Sequence, residues 1–329
     1  MKKFGKINEL LGSEGTPIKL SEVDDTLAKA VTAPDAGTKD KDANDDKVKV
    51  NTEAMVTVGA LSPAQKEVIP MKALSFALGY LDNKQPNLDE MEAIVSADMY
   101  IMDGHHRWAA ATLVNPAKEV KVAKIEMKAV DLITALNVYT KGALNLTGNQ
   151  GAGDLAKWKE LIKQEIEKAF EKGFSGELGN AILPGDAKKE NWPMFAGGNG
   201  KSAEEVQALF AKMPGADGDA NKGKEIMIKN SDQLKTTKLP QAPERIDMPV
   251  IDAGKTPSGE KTKDVKKSQL YDVCTRIANG TLDIKPPYSP EVAAKVKGEE
   301  KEQPAQQAQV TAESRIIKTY EKFIQQYKK

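Results

Sequence analysis

The side chains best suited to chemistry lie together in Asp103-Gly104-His105-His106-Arg107. The segment holds both histidines of the chain and one of its four arginines. Glycine permits a tight turn, and a helix that starts after such a turn presents unpaired N–H groups and the positive end of its dipole. An imidazole can donate to a phosphate or carry a proton near neutral pH, and a guanidinium binds phosphate oxygens with a planar pair of donors. The pattern therefore predicts a phosphate-binding loop.

Within this loop, Gly104, His105, His106 and Arg107 are the candidate phosphate ligands. Asp103 has three possible tasks, which are to hold a metal ion, to orient a histidine or to accept a proton. The alternative for the histidine pair is that both are exposed polar residues at the start of a helix. The residue types at the end of a strand favour the phosphate site over that alternative.

The elements that must position this loop can be predicted from hydrophobic spacing. EAIVSADMYIMDG predicts two short strands around a Ser96-Ala97-Asp98 turn, and HRWAAATLV a short helix that ends at Asn115-Pro116. Pro63 opens a predicted helix that Pro70 kinks or splits. With a strand before and a strand and a helix after, the order β-α-ββ-α-β-α predicts a compact α+β domain over residues 50–150.

The other regions are predicted from composition and helical spacing. Residues 1–49 are expected to be an N-terminal extension and linker, and residues 151–213 a small helical region. Residues 214–310 are expected to be a mostly irregular, extended linker with a short helix near 265–282. Residues 311–329 predict an amphipathic C-terminal helix, whose apolar face must dock on a protein partner, on a second copy or on its own chain.

Charge and cysteine content exclude several classes of protein. The 48 Lys and Arg residues balance 48 Asp and Glu residues, so the cationic surplus of a dedicated DNA binder is missing, although a local basic patch leaves DNA binding open. The single cysteine, Cys274, excludes an internal disulfide and a multi-cysteine metal site. No segment has about 18 uninterrupted apolar residues, so we expect no membrane span and a soluble, unsecreted protein.

The stretch from Val95 to Ala110 resembles the signature of the ParB/sulfiredoxin-like superfamily, in which (I/V)-x-DG-HHR-(W/Y)-x-A follows a short hairpin. Leu61-Ser62-Pro63-Ala64-Gln65 resembles the early L-x-P-x-Q segment of the same superfamily, and the likeness covers about residues 50–130. It implies a fold that binds nucleotide phosphates, with ATP, ADP or CTP and Mg²⁺ as the expected ligands. Free-serine kinases carry DGHHR, and partition proteins carry a related Arg-rich version that binds CTP.

The resemblance also implies roles for individual residues. The loop from Gly104 to Arg107 would line a di- or triphosphate site, with Asp103 near the metal or the transferred group. In the kinases a glutamate of the early segment is the general base; the aligned residue here is Gln65, and Glu67, two residues further on, is the candidate base. The expected function is therefore that of a nucleotide-binding protein, with metal-dependent phosphotransfer or NTP hydrolysis as its activity if the site is active.

Two alternatives stay open. The domain could be an inactive scaffold in a virion or assembly protein, since similar domains occur in bacteriophage proteins. It could also be a ParB-like nuclease, since similar domains are labelled nucleases. The resemblance accordingly implies a location in the cytoplasm of a bacterial host cell or in a phage particle. Binding of ATP, ADP or CTP with Mg²⁺ separates the first hypothesis from the scaffold.

Overall fold

A computed structural model describes residues 16–34, 36–39, 46–82, 88–148, 158–173 and 201–283. Five strands form one mixed sheet in the order β1-β5-β3-β4-β2. The strands are β1 (Val50–Thr57), β2 (Ser62–Pro63), β3 (Glu90–Ser96), β4 (Tyr100–Asp103) and β5 (Glu119–Ile125). The α-helices described are α1 (Asp25–Val31), α2 (Ala36–Lys39), α3 (Pro70–Leu81), α4 (His105–Val114), α5 (Ala129–Gly142), α6 (Trp158–Lys172), α7 (Ala203–Phe210), α8 (Ala220–Ser231) and α9 (Gln269–Asn279).

The sheet combines both pairing directions. Strand β5 is antiparallel to β1 and parallel to β3, and β4 is antiparallel to β3 and parallel to the short β2. A mixed α/β architecture of this kind is compatible with the predicted α+β class.

The predicted helix start at Pro63 is wrong: Ser62 and Pro63 pair with Tyr100 and Ile101, and the helix begins at Pro70 instead. Proline suits the first helical position because it lacks an N–H and its φ is preset.

Alternating residues of the central strands point to two separate cores. Val95 and Ile101 belong to one buried cluster, which includes residues of α3, α4, α6, α7 and α8. Ile94 and Met102 belong to the other cluster, which includes residues of α5 and α9. This period of two is what a strand buried on both faces requires. The sheet is therefore covered by helices on both faces.

The first cluster joins α4 to the helices that follow the domain predicted over residues 50–150. Trp108 of α4 is buried, and its Nε1 donates a 3.2 Å hydrogen bond to the carbonyl of Val58. Its ring meets the buried ring of Trp158 edge to face, with 6.5 Å between the ring centroids. Aromatic pairs with this geometry contribute roughly 0.5–1.5 kcal/mol beyond the area that they bury. The helical region thus packs directly behind the histidine loop.

The second cluster includes residues far beyond the domain predicted over residues 50–150. Met248, Ile251, Val273, Ile277 and Leu282 are buried against α5 and the sheet. The short helix expected near 265–282 is present as α9, whereas α8 lies in the segment predicted to be irregular. Helix α8 was not predicted from the sequence, because glycine, asparagine and lysine dominate its first turns. Although residues 236–268 contain little regular structure, they are part of the folded molecule.

The N-terminal residues also contribute more than a linker. Helix α1 packs on α5, the backbone N–H of Ile18 donates to Thr134 Oγ1, and Asn137 Nδ2 donates to the carbonyl of Ile18.

The predicted C-terminal helix at 311–329 lies outside the described residues. Within the described part of the chain, no helix has the length and apolar character needed to cross a bilayer.

Candidate functional site

The loop that carries the histidines turns sharply between β4 and α4. Strand β4 ends at Asp103, and Gly104 follows in the left-handed region with φ 93° and ψ 16°. A Cβ atom at this position would lie 3.0 Å from the Cβ of Ala93 on the neighbouring strand. Glycine is therefore required both by the backbone angle and by the close approach to β3. Helix α4 begins immediately, at His105.

His105 lies beneath the surface, with 4% of its area exposed. Its Nε2 accepts a 3.1 Å hydrogen bond from the backbone N–H of Ala64. Burial, assisted by the positive charge of Arg245, lowers the pKa of His105 to about 3. A ring nitrogen that accepts carries no proton, so the imidazole is neutral with its hydrogen on Nδ1.

His106 repeats this arrangement one residue later. Its Nε2 accepts a 3.1 Å hydrogen bond from the backbone N–H of Ile69, the residue before α3. Burial, followed by the positive charges of Lys72 and Arg245, holds the pKa of His106 well below its ordinary value. The two imidazoles thus bind both ends of the segment from Ala64 to Ile69. We call His105 and His106, together with those two N–H groups, the histidine clamp.

Arg107 follows the histidine clamp in the chain and already forms ion pairs with two carboxylates. Its Nη1 is 2.8 Å from Glu92 Oε2, and its Nη2 is 3.5 Å from Asp103 Oδ2. Its side chain is 18% exposed. An incoming phosphate would therefore bind a guanidinium that is fixed in place by two carboxylates, and it would have to compete with them.

The side chain of Asp103 is partly exposed, and its pKa is raised. Its side chain is 24% exposed, and desolvation raises its pKa to about 6. The Arg107 guanidinium and the N–H of Gly104 oppose this rise, whereas the negative charge of Asp252 adds to it. A carboxyl group with this pKa can accept or release a proton near neutral pH.

Glu67, the candidate base of the early segment, lies against a short 3-10 turn at Arg245–Asp247. Glu67 is 7% exposed, and its Oε2 accepts a 2.7 Å hydrogen bond from the backbone N–H of Arg245. Burial is the largest cause of its raised pKa. The side-chain amide of Gln65 donates to the backbone carbonyl of Glu67. The structure therefore places Glu67 against the turn that carries Arg245, whose charge also acts on both histidines.

Two cationic residues near the loop, Lys72 and Arg245, were not predicted from the sequence. Lys72 comes from the first turn of α3, and Arg245 comes from the segment predicted to be an irregular linker. Both charges act on His106. The one signal for Arg245 was its rarity, since arginine occurs four times in the chain. Nothing in the spacing around Lys72 distinguished it from a lysine on a helix surface.

The described side chains around the loop do not form a metal-binding site by themselves. Among the residues that the structure describes, no three His, Cys, Asp or Glu side chains come together as ligands. Mg²⁺ is often bound by one or two carboxylates together with substrate phosphates. Asp103, the predicted metal ligand, would supply one such carboxylate to an ion that arrived with a nucleotide.

Comparison with known proteins gives no further guide, because no protein-family model, curated protein or solved structure matches the chain.

Proposed function

We propose that this protein binds the phosphates of a nucleotide, ATP, ADP or CTP with Mg²⁺, at the start of α4. The observation that carries the proposal is that three elements with cationic residues meet at the start of α4. His106 accepts a hydrogen bond from the N–H of Ile69, the residue before the helix that carries Lys72, and Arg107 follows His106 in α4. The 3-10 turn that carries Arg245 is joined to the same segment by the bond from the Arg245 N–H to Glu67. After burial, the positive charges of Lys72, Arg245 and Arg107 lower the pKa of His106, and a helix N-terminus itself favours anions.

The arrangement of the two motif segments also supports the proposal. The early segment and the DGHHR loop are about 40 residues apart in the chain, yet Ser62 and Pro63 pair with Tyr100 and Ile101. The histidine clamp then joins Ala64 to the loop. A ParB/sulfiredoxin-like domain, the family that these segments resemble, would need this neighbourhood to form one phosphate site. We therefore retain that family as part of the proposal.

The proposed roles differ among the loop residues. The first N–H groups of α4, with Arg107 and Lys72, bind phosphate oxygens. His105 and His106 act as positioning residues, because their Nε2 atoms are occupied by backbone donors and their rings are neutral. If phosphate is transferred or hydrolysed, Asp103 is the group at the loop whose pKa, about 6, suits a base. Mg²⁺ bound to the nucleotide would offset phosphate charge.

The test is isothermal titration calorimetry of the full chain with ATP, ADP and CTP in the presence of Mg²⁺. Binding is expected, and Arg107→Gln should weaken it at least tenfold because a charged pair of donors is lost. Lys163→Gln is the control, since Lys163 of α6 pairs with Asp232 and belongs to another surface. If the wild type does not bind any of the three nucleotides, the proposal is wrong.

A specific observation favours a second candidate, an inactive scaffold in a virion or assembly protein. Arg107 is held by two carboxylates, and both histidines hold backbone N–H groups, so each side chain already has a structural task. Under this hypothesis no nucleotide binds, and mass spectrometry of purified phage particles would detect the chain among the particle proteins.

The nuclease alternative has no such support, since two-metal cleavage needs clustered carboxylates and the described residues contain no metal-ligand cluster.

A further inference from the structure

Glu92 has an unusual backbone conformation for a strand residue. It lies within β3, yet its φ is 47°, in the left-handed region that residues other than glycine seldom adopt. The pairing of β3 with β5 is irregular at the same place: Glu90 lies opposite Lys121 and Ile94 opposite Ala123, so β3 has extra residues here. Such a β-bulge redirects side chains and often lies next to a functional site.

The bulge directs the side chain of Glu92 to the loop. Its neighbours Met91 and Ala93 are both buried in the first cluster, whereas Glu92 is exposed. Ala93 packs against the glycine turn, with its Cβ 3.0 Å from where a Cβ of Gly104 would lie. Glu92 Oε2 lies 2.8 Å from Nη1 of Arg107 on α4. A strained strand residue therefore brings a carboxylate to the arginine of the loop.

The two carboxylates that bind Arg107 differ in origin and in exposure. Asp103 belongs to the loop itself, and its Oδ2 is 3.5 Å from Nη2 of Arg107. Glu92 comes from another strand, makes the shorter contact and is the more exposed, with 41% of its side chain accessible against 24% for Asp103. The two contacts use different nitrogens of one guanidinium. An anion that arrives from solvent can therefore take Nη1 from Glu92 while Asp103 still orients the arginine through Nη2.

We propose that Glu92 controls access to Arg107: its carboxylate occupies Nη1 until a phosphate oxygen of the ligand displaces it. This inference rests on the proposed function. A carboxylate and a phosphate compete for the same charged donor, and two anions beside one guanidinium repel each other. Ligand binding must therefore break the contact between Arg107 and Glu92, so Glu92 is a residue that sets the affinity of the site.

The experiment is calorimetry of the full chain and of Glu92→Gln with ATP and Mg²⁺. Glutamine keeps the size of the side chain without its charge, and the position is exposed, so the variant should fold as the wild type does. It should bind ATP roughly three- to tenfold more tightly, because the competing ion pair and a repulsive charge are both removed. Glu126→Gln is the matched control, since Glu126 is similarly exposed, at 43%, but pairs with Lys124. Its ATP affinity should equal that of the wild type.

A second comparison shows whether Glu92 acts through Arg107. In a chain that carries Arg107→Gln, adding Glu92→Gln should leave the ATP affinity unchanged, because no guanidinium is left to release. A gain of the same size in that background would show that Glu92 acts by its charge alone, and it would overturn the inference.

The outcomes separate this inference from the proposed function. If the wild type binds ATP and Glu92→Gln binds it equally well or more weakly, Glu92 does not control access to Arg107, although the phosphate site remains. An equal gain from Glu126→Gln would overturn the inference in the same way. If neither the wild type nor Glu92→Gln binds ATP, both proposals are wrong.

Discussion

At the residue scale, His105 and His106 use the same ring atom in the same way. Each Nε2 accepts a backbone N–H from the segment that precedes α3. From the residue types and their position between a strand and a helix, the sequence predicted that the pair are phosphate ligands within the loop. It could not predict which nitrogen accepts or that the rings stay neutral, because both depend on the partners Ala64 and Ile69. The predicted donor and proton-carrying roles were based on the pKa of an exposed imidazole.

The histidine clamp predicts how the two rings titrate. Both pKa values are lowered by burial, that of His105 to about 3, so in the folded protein the His105 ring should stay neutral from pH 8 to pH 5 and the His106 ring should titrate well below its ordinary value. Nitrogen-15 NMR should show the His105 ring neutral with its proton on Nδ1 throughout this range, and the His106 ring neutral with its proton on Nδ1 at pH 7. The unfolded chain takes up these protons below about pH 6.5, so acid favours unfolding. Titration midpoints near 6.5 in the folded protein would contradict the clamp.

Asp103 gives a pH effect of the opposite sign. Its folded pKa of about 6 lies above the ordinary value of 3.8, so the ionised group costs stability at neutral pH and that cost disappears as the pH falls from 7 to 4. Asp103→Asn removes the cost. The stability of the variant relative to the wild type should therefore be highest at pH 7 and fall by up to about 1.4 kcal/mol per pH unit between pH 6 and pH 4. Urea unfolding at several pH values measures this, and a constant difference would contradict it.

At the element scale, the order of strand, glycine turn and helix at the loop could be predicted from the sequence. The apolar residues of β4, Gly104 and the helical stretch after it are local signals, and each has the structure that its signal indicates. The start of α3 was predicted wrongly, because Pro63 and Pro70 are both suited to a first helical turn. The pairing of β2 with β4 decided between them, and no local pattern reports such a pairing.

The turn itself can be tested by Gly104→Ala. The left-handed backbone and the 3.0 Å approach to the Cβ of Ala93 should together lower the free energy of unfolding by about 2–3 kcal/mol. Gly218→Ala is the control: Gly218 also has a positive φ of 87°, but an added Cβ would meet nothing within 4 Å. Its cost should be the smaller of the two in urea unfolding. Equal costs would show that the contact with β3 does not constrain the loop.

At the scale of the whole molecule, the domain predicted over residues 50–150 needs the chain around it. Trp108 packs on Trp158, and the second cluster includes Met248, Ile251 and Ile277. The sequence could not reveal this, since residues 243–252 have no periodic pattern and the residues that they contact in α5 are more than 100 positions away in the chain. Arg245 was missed for the same reason.

This dependence predicts the behaviour of a fragment. Residues 46–148 alone would expose the surfaces on which α6 and the residues from Met248 to Leu282 pack. We expect the fragment to aggregate or to lack a cooperative unfolding transition, whereas residues 16–283 should show one. Circular dichroism during heating and size-exclusion chromatography make the comparison. A monomeric fragment with the melting temperature of the longer chain would show that these packing contacts do not support the domain.

The central claim is that a nucleotide phosphate binds at the start of α4, and histidine labelling tests it most directly. The chain has two histidines, both in the loop, so nitrogen-15 labelling of histidine alone gives two backbone amide signals, both from the first turn of the helix. The account predicts that titration of the full chain with ATP and Mg²⁺ shifts both amide signals in a saturable way, while both rings stay neutral. Amide signals that stay unchanged at millimolar ATP would contradict it.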